Sequence, residues 1–211
     1  LNKLFNYSIP STLFEEVLMD REEKRNQIFD AALQVFAHYG YRQTTMEQVA
    51  GKLGMTKSSL YFYCSGKEDL YNQAVAHALL QWQAHVRQAV EAQADVVQKL
   101  VTLAITSNQY LAENDDLRTI IINDPQIQSI TPAEDRYLNI GAASHGMLKQ
   151  ILVQGMAEGK FKPVDVYQAA DFLYSIHCMF VVKTYVKEEG KSAQDIYRSG
   201  IELILQGLLA K

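Results

Sequence analysis

The chain has 211 residues, of which 48% are hydrophobic and 21% are charged, a composition that excludes an intrinsically disordered chain and indicates a globular core. The net charge at pH 7 is −4, but it is unevenly divided. Residues 21–67 contain seven Lys and Arg against four Asp and Glu, so this segment carries +3 and the rest carries −7. A basic segment on an acidic body is typical of a protein with one module that faces nucleic acid.

Cysteine and apolar patterns narrow the class further. The two cysteines, Cys64 and Cys178, form neither a disulfide framework nor a ligand pattern with the five histidines, so we expect no metal and no cofactor. Free thiols favour a reducing compartment, the cytoplasm. No run of about 18 apolar residues and no secretory signal peptide is recognised, so we expect neither a membrane-spanning helix nor a membrane partner.

Helical periodicity runs through the chain and strand signals are scarce, so the sequence predicts an all-α protein. Residues 1–20 are expected to form a loosely packed N-terminal extension with at most a short amphipathic turn. The first predicted helix spans about residues 21–39, and Gly40 follows where a helix end favours a left-handed residue. Its apolar stripe consists of Ile28, Ala31, Ala32, Val35 and Phe36.

Two short helices are predicted next. The second helix begins with a capping box, made either by Thr44 with Glu47 or by Thr45 with Gln48, and it ends before Gly54. Thr56 is a suitable N-cap for a third helix through Tyr61. A fourth, longer helix begins near residues 65–66, capped by Ser65 with Glu68 or by Gly66 with Asp69.

Two short helices joined by a tight turn that contains Gly form a helix-turn-helix, whose second helix presents its first residues to base edges. Those residues are polar and none is acidic: Thr56, Lys57, Ser58 and Ser59. Hydroxyl groups and the backbone N–H groups at a helix start donate to phosphate oxygens, and Lys57 supplies a cation. A three-helix packing unit without a role in nucleic-acid binding is the alternative.

A dense set of residues is correctly spaced along residues 24–71. It comprises Ile28, Ala31, Ala32, Phe36, Gly40, Tyr41, Thr44, Thr45, Val49, Ala50, Gly54, Met55, Thr56, Lys57, Leu60, Tyr61, Tyr63, Lys67, Glu68 and Leu70. This pattern resembles the DNA-binding domain of the TetR family of regulators and covers about a quarter of the chain. The resemblance implies a DNA-binding domain at residues 21–71, with DNA contacts from Thr45, Thr56, Lys57, Ser58, Ser59, Tyr61, Tyr63 and Lys67.

Three residues depart from the family pattern. Ser58 replaces the usual Gly where the backbone approaches DNA, so the bases read there are expected to differ. Cys64 replaces a usual Phe and is expected to be a buried small apolar residue, leaving volume that Phe62 or a neighbour must fill. Gly66 replaces a usual Ser cap.

Residues 72–211 are expected to form a helical regulatory and dimerisation domain. Helix signals bracket a short helix between residues 114–116 and 123–125, start another at Thr131–Glu134 that reaches Ala157, and place a third between residues 164 and 187. Gly190 is expected to break the chain before a last helix that begins at Ser192 and ends near Leu209. No internal repeat is apparent.

The last helix carries a wide apolar stripe beside one narrow polar stripe, which exceeds what one core-facing surface needs. By resemblance, the last two helices pair with those of a second subunit in a four-helix bundle. Gly200 and Gly207 are seven residues apart, so they lie on one face and would allow close approach of a helix. A helix buried wholly within one subunit is the alternative.

The resemblance also implies a pocket for a small organic effector, with candidate lining residues Trp82, Tyr110, His145, Phe172 and His177. A residue of this kind in a helix is more often an ordinary core residue than a ligand contact. The sequence shows no nucleophile elbow, P-loop or dinucleotide fingerprint, so no catalytic residue and no enzyme activity is expected. We therefore expect a dimeric, ligand-responsive repressor that binds a palindromic operator in double-stranded DNA. The alternative is a helical DNA-binding or interaction protein without an effector.

Overall fold

A computed structural model describes residues 11–128, 136–186 and 190–210, and within these ranges the chain is all-α as expected. The helices are α1 Ser11–Gln43, α2 Met46–Lys52, α3 Lys57–Leu60, α4 Lys67–Glu91, α5 Val96–Glu113, α6 Asp115–Asn123, α7 Leu138–Ala157, α8 Val166–Val181 and α9 Gly190–Leu208. A 3₁₀ turn, Pro125–Gln128, follows α6, and a π-helical turn, Val182–Val186, continues α8. No helix in the described ranges is long and apolar enough to cross a membrane.

Helix α1 begins at Ser11, ten residues before the expected start near Arg21. No Gly or Pro interrupts residues 11–39, and apolar residues recur at helical spacing from Leu13 onward, so nothing in the chain stops the helix from extending backwards. The first ten residues of the predicted extension lie outside the described residues. Gly40 has φ 76°, as its predicted role at the helix end requires, and the chain kinks there before residues 41–43.

Local caps fix the next two helices. The Thr45 hydroxyl accepts from the Gln48 N–H at 3.2 Å, while the Thr45 N–H donates to Gln48 Oε1 at 2.8 Å. This selects the second of the two predicted capping boxes. The Thr44 side chain is instead buried and donates to the Gly40 carbonyl at 2.9 Å. Gly54, with φ 62°, makes the turn into α3, whose N-cap is Thr56 as predicted.

Helix α4 connects the first three helices to the rest of the chain. Its N-cap is Gly66, and the Asp69 carboxylate accepts from the Ser65 N–H at 2.7 Å. From Lys67 to Glu91 it runs without interruption past the predicted domain boundary between residues 71 and 72. Buried residues from α1, α4, α5 and α7 form one continuous core. Because α4 is a continuous helix packed in that core, it can transmit a displacement between α1–α3 and the helices that follow it.

Helix α7 packs closely on the segment that follows it. It ends at Ala157, as predicted, and Gly159 reverses the chain with φ 68°. Phe161 is 3% exposed, donates its N–H to the Gly155 carbonyl at 3.0 Å and pairs with Leu209 in an antiparallel bridge. A Cβ atom on Gly155 would lie 2.0 Å from the Phe161 ring, so Gly is required for this contact.

Two of the later helices end or begin at residues other than those predicted, and one predicted helix start lies outside the described residues. The start signal at Thr131–Glu134 lies among residues 129–135, outside the described residues, and α7 begins at Leu138 after a turn. Helix α8 was expected to reach Lys187, but its α-helical part ends at Val181 and passes into the π-helical turn. Gly190 was expected to break the chain before the last helix, but it is the first residue of α9. The helix therefore begins two residues before the predicted start at Ser192.

Candidate nucleic-acid interface and ligand cavity

The start of α3 is an exposed polar surface. Thr56, Lys57 and Ser58 are exposed, and Ser59 is half-buried. The Thr56 hydroxyl accepts from the Ser59 N–H at 3.1 Å and lies 2.8 Å from the Ser59 hydroxyl, so the cap orders these side chains. Leu60 is fully buried and anchors the helix in the core. Thr45 is exposed at the start of α2, so the two helix starts present hydroxyls and N–H groups that suit phosphate oxygens.

Lys57 is engaged by an acidic neighbour in this structure. Its Nζ lies 2.7 Å from Glu47 Oε1, and both side chains are about half exposed or more, at 46% and 63%. The hydrogen bond between them lowers the pKa of Glu47 and raises the pKa of Lys57, so both are charged at neutral pH. Glu47 was not among the predicted interface residues, although it stands at the start of α2. DNA that binds Lys57 must compete with this carboxylate.

Two predicted interface residues turn partly inward. Lys67 Nζ donates to the carbonyls of Arg42 at 3.2 Å and Thr44 at 3.1 Å, and it lies 4.8 Å from the centre of the Tyr41 ring. It therefore ties the start of α4 to the end of α1 while adding positive charge near α2. Tyr63 is half-buried and packs against the core, whereas Tyr61 is 46% exposed.

Phe62 was not selected by sequence reasoning as an interface residue, yet its side chain is 84% exposed. It therefore does not fill the volume that Cys64 was expected to leave. Cys64 is buried, as predicted, with its Sγ 3.5 Å from the Leu60 carbonyl. An exposed phenyl ring directly after the end of α3 can contact the methyl group of thymine. The signal was present in the sequence as an apolar residue directly after Leu60-Tyr61.

A cavity lies between α4, α5, α7 and α8. It encloses about 90 Å³, within about 810 Å³ of atom-free space that includes its opening to solvent. Its wall combines aliphatic side chains with the aromatic and polar residues Trp82, Gln83, Ser107, Tyr137, Ser144, Tyr174 and His177. Among the described residues of this wall there is no Asp, Glu, Lys or Arg. The cavity is therefore largely apolar with a few neutral hydrogen-bonding groups, as small-molecule sites usually are.

Of the five predicted ligand residues, the structure brings Trp82 and His177 to this cavity. Tyr110 lies behind the wall, stacked on Trp82 with ring centres 6.3 Å apart. His145 contacts the Tyr174 ring edge-on with ring centres 5.8 Å apart, and Phe172 is 59% exposed on α8. Neither residue is among those that line the cavity. The polar lining residues Gln83, Ser107 and Ser144 were not selected from the sequence, because polar residues on helices are usually solvent-facing.

A chain of hydrogen bonds runs from the cavity to α9. Trp82 Nε1 donates to the Ser107 carbonyl at 3.0 Å, and the Ser107 hydroxyl lies 3.1 Å from His177 Nε2. His177 Nδ1 lies 3.4 Å from the Tyr197 hydroxyl on α9. Burial lowers the pKa of His177 to about 4, so its ring is neutral at pH 7. Uncharged hydrogen-bonding groups thus link α4, α5, α8 and α9 in one series at the cavity wall.

A second polar cluster joins α4 to the segment that carries the lining residue Tyr137. Asp124, the C-cap of α6, accepts a hydrogen bond from the Tyr71 hydroxyl at 3.1 Å and also pairs with Arg136. The Arg136 guanidinium lies 5.7 Å from the centre of the Tyr137 ring, which lines the cavity. Tyr71 in turn packs edge-on against Phe36 of α1 with ring centres 5.1 Å apart. We call Tyr71, Asp124 and Arg136 the junction cluster, because they connect α1 and α4 to the cavity.

Exposed apolar side chains line one face of each of the last two helices. On α9, Ile196 is 51% and Leu203 is 69% exposed, seven residues apart. On α8, Phe172 is 59% and Met179 is 45% exposed, with the same spacing. Residues seven apart share a helix face. Such paired apolar faces on neighbouring helices are typical of a helix-bundle interface with another chain.

The chain is similar to bacterial regulatory proteins, both in its N-terminal helices and over most of its fold. The family model described as bacterial regulatory proteins, tetR family, matches residues 28–74. The fatty acid metabolism regulator protein of Bacillus subtilis is 23% identical over 192 residues, which are 90% of this chain and 98% of that protein. The transcriptional repressor KstR2 of Mycobacterium tuberculosis is 24% identical over 188 residues, 88% of this chain and 92% of that protein.

Among solved structures, the transcriptional regulator FadR from Bacillus subtilis in complex with stearoyl-CoA has a similar fold. Its TM-score is 0.71 at 23% identity, and the match covers 86% of this chain and 97% of that one. The similarity therefore extends over the cavity-bearing helices as well as over α1 to α4.

Proposed function

The chain belongs to the TetR family of bacterial regulatory proteins, and from that premise we propose that it represses transcription by binding a palindromic operator as a homodimer that a small organic effector releases. It is a DNA-binding regulator rather than an enzyme. The observation that carries the proposal is the exposed, capped start of α3, which stands beside Thr45 and Lys67 within the matched segment. A regulator of bacterial transcription acts where the chromosome lies, so we assign the protein to the cytoplasm.

Selection from a pool of random duplex DNA, followed by sequencing of the retained molecules, tests the proposal. We expect an enriched palindrome with half-sites about one helical turn apart, since a two-fold dimer presents two α3 helices. Binding without an enriched sequence would indicate a nonspecific DNA-binding protein instead. Absence of binding at low salt by folded protein would contradict the proposal.

We expect Lys57→Ala to weaken operator binding about thirtyfold at about 0.15 M salt, because each neutralised phosphate contributes a slope of roughly 0.9 and the dimer loses two. The salt dependence should flatten accordingly. Glu47→Gln is expected to strengthen binding about threefold, because it frees Lys57 and removes a negative charge from the surface. Fluorescence anisotropy with a labelled operator over a salt series measures both.

Lys160→Ala is the matched control for Lys57→Ala, since Lys160 is an exposed lysine in the turn after α7, far along the chain from the helix-turn-helix. Equal losses for Lys160→Ala and Lys57→Ala would show that general charge, and not a contact at α3, determines the affinity.

The junction cluster supports a route for release by an effector. Ile127 and Tyr137 line the cavity; Ile127 follows Asp124 by three residues and Tyr137 directly follows Arg136. A molecule too large for the enclosed volume of about 90 Å³ either extends into the opening or pushes this wall outward. Such a displacement changes the Asp124 contacts with Arg136 and Tyr71, and Tyr71 lies on α4 against α1. The spacing of the two α3 helices in the dimer then changes, and ligand and DNA weaken each other's binding.

We expect Asp124→Asn to imitate the effector in part, lowering operator affinity about fivefold without any ligand, within the usual range of coupling energies. The change removes the charge that pairs with Arg136 but keeps the shape of the side chain. Operator titration of the variant measures the effect, and denaturant unfolding separates it from loss of stability. Asp116→Asn on the same helix is the control, and an equal fall there would refute the role of the junction cluster.

The exposed apolar faces of α8 and α9 support the homodimer. We assign Ile196, Leu203, Phe172 and Met179 to its interface, which places Phe172 at the partner subunit and not at the effector. A Cβ atom on Gly200 or Gly207 would meet nothing within 4 Å in this chain, so both leave room for a neighbouring helix. The ligand residues we retain from the sequence are Trp82 and His177, with Ser107 and Gln83 added from the structure.

A further inference from the structure

The proposed function leaves the effector undefined, and the cavity restricts its charge. An ionised ligand buried there would have no counter-charge, since the described wall contains no Asp, Glu, Lys or Arg. Burial of an unpaired charge costs far more than the contacts in such a site return. The one titratable imidazole in this wall, His177, has a pKa lowered to about 4 by desolvation and stays neutral. The described part of the wall therefore favours an uncharged group on the buried part of a ligand.

The size of the cavity restricts the shape. It encloses about 90 Å³, and an apolar protein cavity of about 150 Å³ is known to bind benzene. A single six-membered ring therefore fits with a small outward shift of the wall. The wall beside it is rigid, because the Trp82 indole is fixed both by its hydrogen bond to the Ser107 carbonyl and by stacking on Tyr110. A rigid aromatic wall with aliphatic neighbours favours a compact ring over a charged or strongly polar body.

The polar groups in the wall determine which functional group the ring carries. A hydroxyl has one donor and two acceptor positions, and the Ser107 contact with His177 uses one of them. If Ser107 donates to His177, its acceptor positions remain; if His177 donates, the Ser107 hydrogen remains. A ligand hydroxyl can donate or accept, so it satisfies Ser107 in both arrangements. The Gln83 amide donates to the Ile140 carbonyl at 2.8 Å and to the Ser144 hydroxyl at 3.0 Å. Gln83 and Ser144 are thus a second pair of uncharged hydrogen-bonding side chains in the wall.

We propose that the cavity binds a compact, uncharged aromatic or alicyclic alcohol, whose ring packs between Trp82 and the aliphatic wall and whose hydroxyl hydrogen-bonds to Ser107. The proposal rests on the function proposed above, since it names the ligand class of the same cavity. It makes Ser107 and His177 the residues that determine ligand specificity.

Trp82 is the single tryptophan of the chain and lines the cavity, so its fluorescence reports on occupancy without DNA. We would titrate the 211-residue chain with cyclohexanol, methylcyclohexane, cyclohexanecarboxylate, cyclohexylammonium and stearoyl-CoA. Saturable change with cyclohexanol, at an affinity at least about tenfold above those of the two charged ring compounds, is expected. Tighter binding of either charged ring compound, or a saturable response to stearoyl-CoA but not to cyclohexanol, would overturn the proposal.

Ser107→Ala should lower the ratio of cyclohexanol to methylcyclohexane affinity about three- to tenfold, the usual effect of one hydrogen bond. Ser175→Ala, on α8 but outside the lining set, should leave this ratio unchanged. His177→Gln keeps a neutral hydrogen-bonding group and should retain the ratio, whereas His177→Phe should lose it. Circular dichroism establishes that each variant is folded. An unchanged ratio in folded Ser107→Ala would refute the assigned hydroxyl contact.

Operator binding in the presence of cyclohexanol separates the two proposals. If cyclohexanol binds at Trp82 and operator affinity does not change, the ligand class stands and the effector role fails. If operator affinity responds to a charged probe that binds more tightly than cyclohexanol, the effector role stands and the ligand class fails.

Discussion

Leu203→Glu is expected to convert the protein from dimer to monomer and to lower operator affinity about a hundredfold or more. Leu203 is 69% exposed in the single chain, on the same face of α9 as Ile196. In a two-fold dimer each substitution occurs twice, so two carboxylates would enter one apolar interface, at several kcal/mol for each unpaired ion. A monomer engages one half-site only and loses the gain in effective concentration, typically about 10²–10⁴, that the second half-site provides.

Analytical ultracentrifugation measures the mass, and operator titration measures the affinity of the same sample. Gln206→Glu introduces the same charge three residues later, on the exposed polar stripe of α9, and should remain dimeric. Circular dichroism should show unchanged helix content in both variants. A Leu203→Glu protein that sediments as a dimer would exclude this face of α9 from the interface.

Gly155→Ala is expected to destabilise the fold by about 1–3 kcal/mol, the usual range for overpacking a core. The added methyl group would lie 2.0 Å from Phe161 Cδ2, so the ring must leave its place. The ring is 3% exposed and packed in the core, so turning it aside disturbs its neighbours. The Phe161 backbone is held as well, because its N–H donates to the Gly155 carbonyl and the residue pairs with Leu209, directly after α9. The strain therefore reaches the contact between the segment after α7 and the residue that follows α9.

Gly146→Ala provides the control on the same helix. A Cβ there meets nothing within 4 Å, so the substitution should stabilise α7 by about 0.5–1 kcal/mol through helix propensity alone. Denaturant unfolding under conditions that hold the dimer constant measures both changes. Phe161→Leu in the Gly155→Ala background should restore part of the lost stability. Equal effects of the two Gly→Ala changes would contradict the proposed contact with Phe161.

The helix-turn-helix could be predicted closely because short-range interactions define it. The Thr45 and Thr56 caps and the positive φ angles of Gly40 and Gly54 depend on residues within about five positions in sequence. The boundary between α4 and α5 gave a weaker signal. Residues 92–94 contain no Gly or Pro, and only Asp95, which caps α5 by accepting from the Gln98 N–H at 3.0 Å, indicates that a new helix begins.

The cavity could be predicted only in part, because it depends on which helix faces meet. Trp82 and His177 could be selected from the sequence because they are aromatic or ionisable residues in apolar helices. Ser107 does not, although it lies between them and touches both through its carbonyl and hydroxyl. Phe172 is an aromatic residue of the kind that often lines a pocket, but its position on α8 leaves it exposed in the single chain. Sequence periodicity distinguishes apolar from polar faces and does not tell which neighbour an apolar face meets.

The Glu47–Lys57 ion pair bears on how quickly the protein reaches its target on a chromosome. Random DNA offers phosphates but no matching bases, so it must displace an internal carboxylate at 2.7 Å to gain this cation. The operator makes the same exchange but adds base contacts. Weaker attachment to random sequence shortens each unproductive stop during sliding and leaves more of the protein free to reach the operator. Because the operator makes the same exchange, the ratio of specific to nonspecific affinity is set by the base contacts and not by this ion pair. We therefore expect Glu47→Gln, although it binds the operator more tightly, to spend more of its time on the rest of the genome.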